Sequence, residues 1–177
     1  MKLDPLTAHD LLVIELAAHL SSLTSGEKWI AIPEVVYREH RFDLVAARVS
    51  RPAERAVLAF EIKVSLPGIQ DEIRTGKWRA MLDAGATPYL AIPESLRARA
   101  RQMLPAELGL LVRRPDGRWE GHLNRGHVDR DSTELLLATF GAARREMLDA
   151  LRYCQRIDLL ECEVEPEDRA IPLLALA

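Results

Sequence analysis

Lysine is scarce in this chain, supplying 4 of 24 basic residues against 20 arginines, so a lysine inside an apolar run stands out. Cysteine is scarcer still. Cys154 and Cys162 form no CxxC and join no histidine pair, which excludes a disulfide framework or thiolate zinc site and leaves reduced, inert thiols. No apolar run approaches the roughly 20 residues that a membrane-spanning helix needs. The N-terminus lacks the basic-then-apolar pattern of a secretion signal, so a cytoplasmic protein with no membrane partner is expected. Internal repeats and low-complexity segments are also missing. An excess of positive charge is missing too: the net charge of −3 argues against indiscriminate nucleic-acid binding.

What is present suits one full hydrophobic core: 177 residues, 48% of them hydrophobic and 29% charged. The charge is unevenly divided. Residues 129–177 hold 11 acids and 6 bases, whereas residues 1–128 hold 16 acids and 18 bases. The positive excess gathers at Arg97, Arg99, Arg101, Arg113, Arg114, Arg118 and Arg125, a set able to track phosphates through counterion release. A solvated helix face plus a hairpin rim explains any single one of them equally well.

Periodicity and turn residues give the order of elements. Thr7 with Asp10 forms a capping box opening a helix over about 8–23, ended by Ser25-Gly26. A strand over 29–36 carries Pro33, which predicts an edge position or a bend. Strands over 41–49 and 56–64 follow. Pro67-Gly68 releases a helix from about Ile69 that Gly85 closes, with Ile69, Ile73, Ala80, Met81 and Ala84 near helical spacing. A short buried strand over 88–92, a basic helix over 94–103, and strands over 109–114 and 118–123 around the turn Pro115-Asp116-Gly117 complete the set. The resulting order, α-β-β-β-α-β-α-β-β, predicts an α/β fold with a mixed sheet flanked by helices. From Ser132 to about Tyr153 a helical extension carries Leu135, Leu136, Ala142, Met147 and Leu151 on one side, followed by apolar runs over 157–164 and 171–176. The expected organisation is therefore a domain over 1–128 and a C-terminal helix and acidic, apolar tail over 129–177. That tail either packs on the core or forms a homodimer with a second copy.

Two adjacent strands carry acids where burial ordinarily forbids them. Arg41-Phe42-Asp43-Leu44-Val45-Ala46 contains Asp43, and Val57-Leu58-Ala59-Phe60-Glu61-Ile62-Lys63-Val64 contains Glu61 with Lys63 two residues on. Strand alternation puts Glu61 and Lys63 on one face and Phe60, Ile62 and Val64 on the other. A hairpin register with Val49 near Arg55 sets Asp43 opposite Glu61, within reach of one shared cation. The alternative is a solvent-facing ion pair on an edge strand.

An Asp followed on the next strand by acid-x-Lys resembles the PD-(D/E)XK nuclease superfamily. The likeness extends to the helix carrying Glu15 upstream, Lys77-Trp78 downstream and the strand Tyr89-Leu90-Ala91-Ile92-Pro93. Across residues 7–123 the arrangement is most similar to the small bacterial MmcB-like DNA-repair proteins, although Phe42 stands where the eponymous proline would be. The resemblance implies a restriction-endonuclease-like αβββαβ core and a metal-dependent nuclease acting on DNA, with Asp43, Glu61 and the Ile62 carbonyl holding Mg²⁺, or Mn²⁺ as substitute. It implies Lys63 at the nucleophilic water or a phosphate oxygen, and Glu15 orienting water or a second ion from the facing helix. Lys77, Arg97 and Arg101 are candidate DNA contacts. The other function class is a DNA-binding or scaffold protein that keeps the fold without turnover and serves a repair-protein partner.

Other candidates are weaker. Trp78 and Tyr89 read as packing rather than base-stacking platforms. His122, Asn124 and His127 lie close together without a zinc pair, as expected of a loop after a hairpin. His19, four residues after Glu15, reads as an exposed helical neighbour of that acid.

Overall fold

The computed structural model describes residues 5–22, 29–48, 56–121, 132 and 134–145. Its first helix, α1 (Ala8–Ser22), starts at the expected capping box. Thr7 Oγ1 accepts the Asp10 N–H at 3.2 Å, while the Thr7 N–H at 2.9 Å and hydroxyl at 2.7 Å donate to the Asp10 carboxylate and hold it below its usual pKa.

Six strands form one open mixed sheet in sequence order: β1 (Trp29–Tyr37), β2 (His40–Arg48), β3 (Val57–Ile62), β4 (Thr87–Pro93), β5 (Gly109–Arg113) and β6 (Trp119–Glu120). The first three are antiparallel neighbours, β3-β4-β5 are parallel, and β6 returns antiparallel through Pro115-Asp116-Gly117, where Gly117 takes φ 86°. Pro33 has the expected consequence: β1 lies at the sheet edge, and Glu34 beside it bends into φ 51° before pairing resumes at Val35.

Period-2 alternation gives the sheet two apolar faces. Leu44, Ala46, Leu58, Phe60, Ile62, Tyr89, Ala91 and Leu111 pack against Leu12, Val13, Leu16 and Leu20 of α1. Leu90, Ile92 and Val112 pack on the other face against Ile69, Trp78, Ala100 and Leu108. Trp78 and Tyr89 are core residues as expected, with Tyr89 stacked on Phe60 at 5.3 Å between centroids. Gly109 is required by that packing, because a Cβ there would stand 2.4 Å from the Tyr89 ring.

The connection from β3 to β4 departs from the expected single helix. It is split into α2 (Leu66–Thr75) and α3 (Trp78–Asp83) at Gly76, whose φ of 67° is left-handed and whose N–H returns to the Glu72 carbonyl at 3.0 Å. Helical apolar spacing continues across the break, which is why periodicity alone joins the two. The basic helix between β4 and β5 is shorter than its pattern suggests, a 3₁₀ turn at Glu94–Leu96 leading into α4 (Arg97–Arg101).

Residues 134–145 form α5, with Leu135 and Ala142 buried and Leu137 and Phe140 exposed. The chain divides into compact units Met1–Ala142 and Ala143–Ala177. Only 143–145 of the second unit belong to the described residues, so the apolar runs over 157–164 and 171–176 and both cysteines lie outside them, as do His122, Asn124 and His127. Among the described residues no helix is long and apolar enough to cross a membrane.

Candidate functional site

The register of β2 on β3 decides the site. Leu44 pairs with Phe60 and Val45 with Ala59, the expected hairpin register, and one step further it carries Asp43 to Glu61. The two acids meet where the ladder ends. There Asp43 Oδ2 accepts the Ile62 backbone N–H at 2.8 Å, so a carboxylate satisfies a buried amide at the carboxyl end of β3. His9, on the first turn of α1, brings Nε2 to 3.3 Å from the same Asp43 oxygen.

Glu61 is 1% exposed and lies between two ammonium groups. Lys63 Nζ donates to Oε2 at 2.8 Å, and Lys77 Nζ stands 2.6 Å from Oε1 in a close ion pair, so each carboxylate oxygen faces one ammonium. Burial pushes the Glu61 carboxyl up from its usual range, the nearby Asp43 charge pushes it further, and the two lysines offset only part of this.

Lys63 is itself held by two acids, since its Nζ is also 3.3 Å from Glu72 Oε2. Burial alone would lower the Lys63 pKa; the charges and hydrogen bond of Glu61, with Asp43 and Glu72, outweigh it, and the pKa lies above the ordinary lysine value. Glu72 reaches inward because α2 begins directly after β3. Ser65 caps α2 by accepting the Gly68 N–H at 3.3 Å, and Ile69 and Glu72, three residues apart, share its buried side. Glu72 is 3% exposed and its Oε1 has no hydrogen-bond partner. Lys77 arrives by a different device: the left-handed turn at Gly76 redirects the chain between α2 and α3, and Lys77 follows it immediately.

The structure thus brings together Asp43, Glu61 and Lys63 from the expected set and moves Lys77 from a peripheral phosphate contact into the same cluster. Glu15 is engaged elsewhere: its two oxygens accept from Arg113 Nε and Nη2 at 2.8 and 3.1 Å, at the end of β5. Arg97 is also committed, with Nη2 2.6 Å from Glu120 and Nη1 3.5 Å from Glu94. Arg101 lines, with Arg97, an open groove of about 570 Å³ floored by Leu108, Leu110 and Val112.

Glu72 and His9 are members that sequence reasoning missed. A signal existed for Glu72, an acid at i+3 from Ile69 on the apolar side of a helix. None existed for His9, whose partner is 34 positions away in sequence. Three carboxylates, Asp43, Glu61 and Glu72, face two ammoniums, so the cluster holds one uncompensated negative charge when His9 is neutral. Among the described residues no three His, Cys, Asp or Glu side chains group as a ready metal cage; what is gathered is a carboxylate pair with a backbone segment beside it. Such a set can neutralise a hard cation on one side and present a lysine to an anion on the other. No family model matches this chain, and no curated protein is significantly similar to it.

Proposed function

We propose that this protein is a PD-(D/E)XK-type nuclease with a restriction-endonuclease-like core, hydrolysing phosphodiester bonds of DNA with a divalent metal, in repair or in the processing of damaged or mobile DNA. The observation that carries the reading is the meeting of Asp43 and Glu61 at one end of the β2-β3 ladder, with Lys63 hydrogen-bonded to Glu61 at 2.8 Å. The helix, three antiparallel strands, helical crossover and parallel fourth strand agree with the αβββαβ order. The site lies at the carboxyl ends of the parallel strands, where open α/β sheets bind ligands.

The donor set fits Mg²⁺ or Mn²⁺. Both acids offer hard oxygens, Glu72 Oε1 is buried without a hydrogen-bond partner, and the formal charges of the cluster leave one negative charge in excess. Asp43, Glu61 and the Ile62 carbonyl would hold the ion, which supplies Lewis acidity and a more acidic bound water. Asp43 is oriented for this by its bond from the Ile62 N–H. Lys63, kept protonated between Glu61 and Glu72, donates to the attacking water or a non-bridging phosphate oxygen. Water adds to phosphorus and gives up one proton to solvent as one P–O ester bond breaks, the departing oxygen takes one proton from solvent, and Lys63 offsets charge that grows on the phosphoryl oxygens.

The test is purified protein on single-stranded, duplex and branched DNA with Mg²⁺, Mn²⁺ or EDTA. Cleavage that needs metal and is lost in Asp43→Asn supports the reading; DNA binding with no metal-dependent turnover on any substrate replaces it with the scaffold alternative.

A further inference from the structure

Both lysines among the described residues end on the same glutamate, in a chain where only 4 of 24 basic residues are lysine. Their attachments differ. Lys63 is shared between Glu61 and Glu72, at 2.8 and 3.3 Å, and is 21% exposed. Lys77 is 31% exposed, sits at the Gly76 break, and has Glu61 as its only ion-pair partner among the described residues. It stands 2.6 Å from Oε1, the carboxylate oxygen that Lys63 does not hold. Arginine in that place would form a planar two-bond fork with the carboxylate, whereas a single ammonium on a flexible stem makes a contact that can be exchanged.

Resting on the metal-dependent reading above, we propose that Lys77 is a built-in counter-cation: the divalent ion displaces it from Glu61, and the released ammonium turns outward to a phosphate of the nucleic acid. An ammonium 2.6 Å from Oε1 and a divalent ion on the same oxygen repel one another across a short gap, so entry of the ion favours departure of the ammonium. Lys63 stays, since Glu72 retains it. Lys77 neutralises the buried Glu61 until the ion arrives, and the ion's entry creates a phosphate contact. Cation and phosphate binding are therefore coupled, each strengthening the other by the same factor.

Two measurements test this, neither of which reads turnover. Wild-type protein is acetylated at limiting reagent with and without saturating Mn²⁺, and modification is mapped by mass spectrometry. Lys77 labelling should rise several-fold with Mn²⁺ while Lys63 remains protected. Unchanged or reduced Lys77 labelling while Mn²⁺ is bound overturns the proposal. Separately, Mn²⁺ affinity is read by electron paramagnetic resonance for wild type, Lys77→Gln and Lys77→Met. The variants should bind Mn²⁺ about tenfold more tightly; equal affinity in wild type and variants sinks the displacement idea and leaves the metal reading standing. Absence of Mn²⁺ binding in all three removes the metal reading itself. The labelling arm needs no variant, so a folding defect at position 77 does not blunt the test.

Discussion

Glu61→Gln should make the metal-free protein more stable and the metal-loaded protein less stable, reversing the order of the two proteins. In wild type, burial and the Asp43 charge raise the Glu61 pKa despite two adjacent lysines, so its ionised form is disfavoured by folding. For an acid whose folded pKa lies above its unfolded value, the folded state binds more protons, and stability falls as pH rises from the unfolded value of about 4.5 through the folded one. The cost is fully present above that window. Glutamine removes the charge and keeps an oxygen for Lys63, while Lys77, 31% exposed, loses its ion-pair partner and turns to water. Relief of a buried, imperfectly paired charge of this kind is on the order of 1 kcal/mol, equivalent to about 2–4 °C in Tm for a chain of this size. Metal acts oppositely. A ligand at a hundredfold excess over its Kd stabilises the folded state by about 3 kcal/mol, and the variant forfeits that. The assay is thermal and urea unfolding of both proteins in EDTA and in millimolar Mn²⁺, at neutral pH and near pH 4. The gap in EDTA should shrink toward pH 4, where the wild-type carboxyl is protonated. A variant less stable than wild type in EDTA at neutral pH would refute the electrostatic argument, and an unchanged order in Mn²⁺ would refute metal binding at Glu61.

Lys63→Met should reduce cleavage by roughly two to three orders of magnitude while affinity measured in Ca²⁺ changes little; equal losses of affinity and turnover would remove Lys63 from the chemistry. Gly109→Ala should destabilise the protein by about 1–3 kcal/mol through overpacking, because its Cβ would meet the Tyr89 ring at 2.4 Å, and a urea midpoint equal to wild type would contradict that packing. Arg101→Glu should weaken DNA binding and flatten its salt dependence more than Arg97→Glu, since Arg97 is already matched by Glu120 and Glu94; equal slopes of log affinity against log salt for the two variants would count against this division.

Much of the sheet and the heart of the site are legible in the chain itself, because strand geometry leaves few choices. Alternation of period 2 sets which residues of β2 and β3 share a face, and the hairpin register inferred with Val49 near Arg55, which is the one found, sets Asp43 beside Glu61. The capping box at Thr7, the bend at Pro33 and the turn at Gly117 are equally local, each following from hydrogen-bonding or backbone preferences within a few residues.

Long side chains escape such rules because their partners are chosen by proximity in space. Glu15 meets Arg113 across 98 positions, Arg97 meets Glu120 across 23, and Asp43 takes His9 from a helix that reaches it only after packing on the sheet. The inward turn of Glu72 and the arrival of Lys77 depend on where α2 starts and on a left-handed residue at Gly76, a position where helical apolar spacing continues uninterrupted. Sequence therefore determined the order of the strands, the hairpin pairing of β2 with β3 and the acids it presents; tertiary structure decided which charges neutralise them, since a flexible charged stem has many possible partners until the backbone around it is in place.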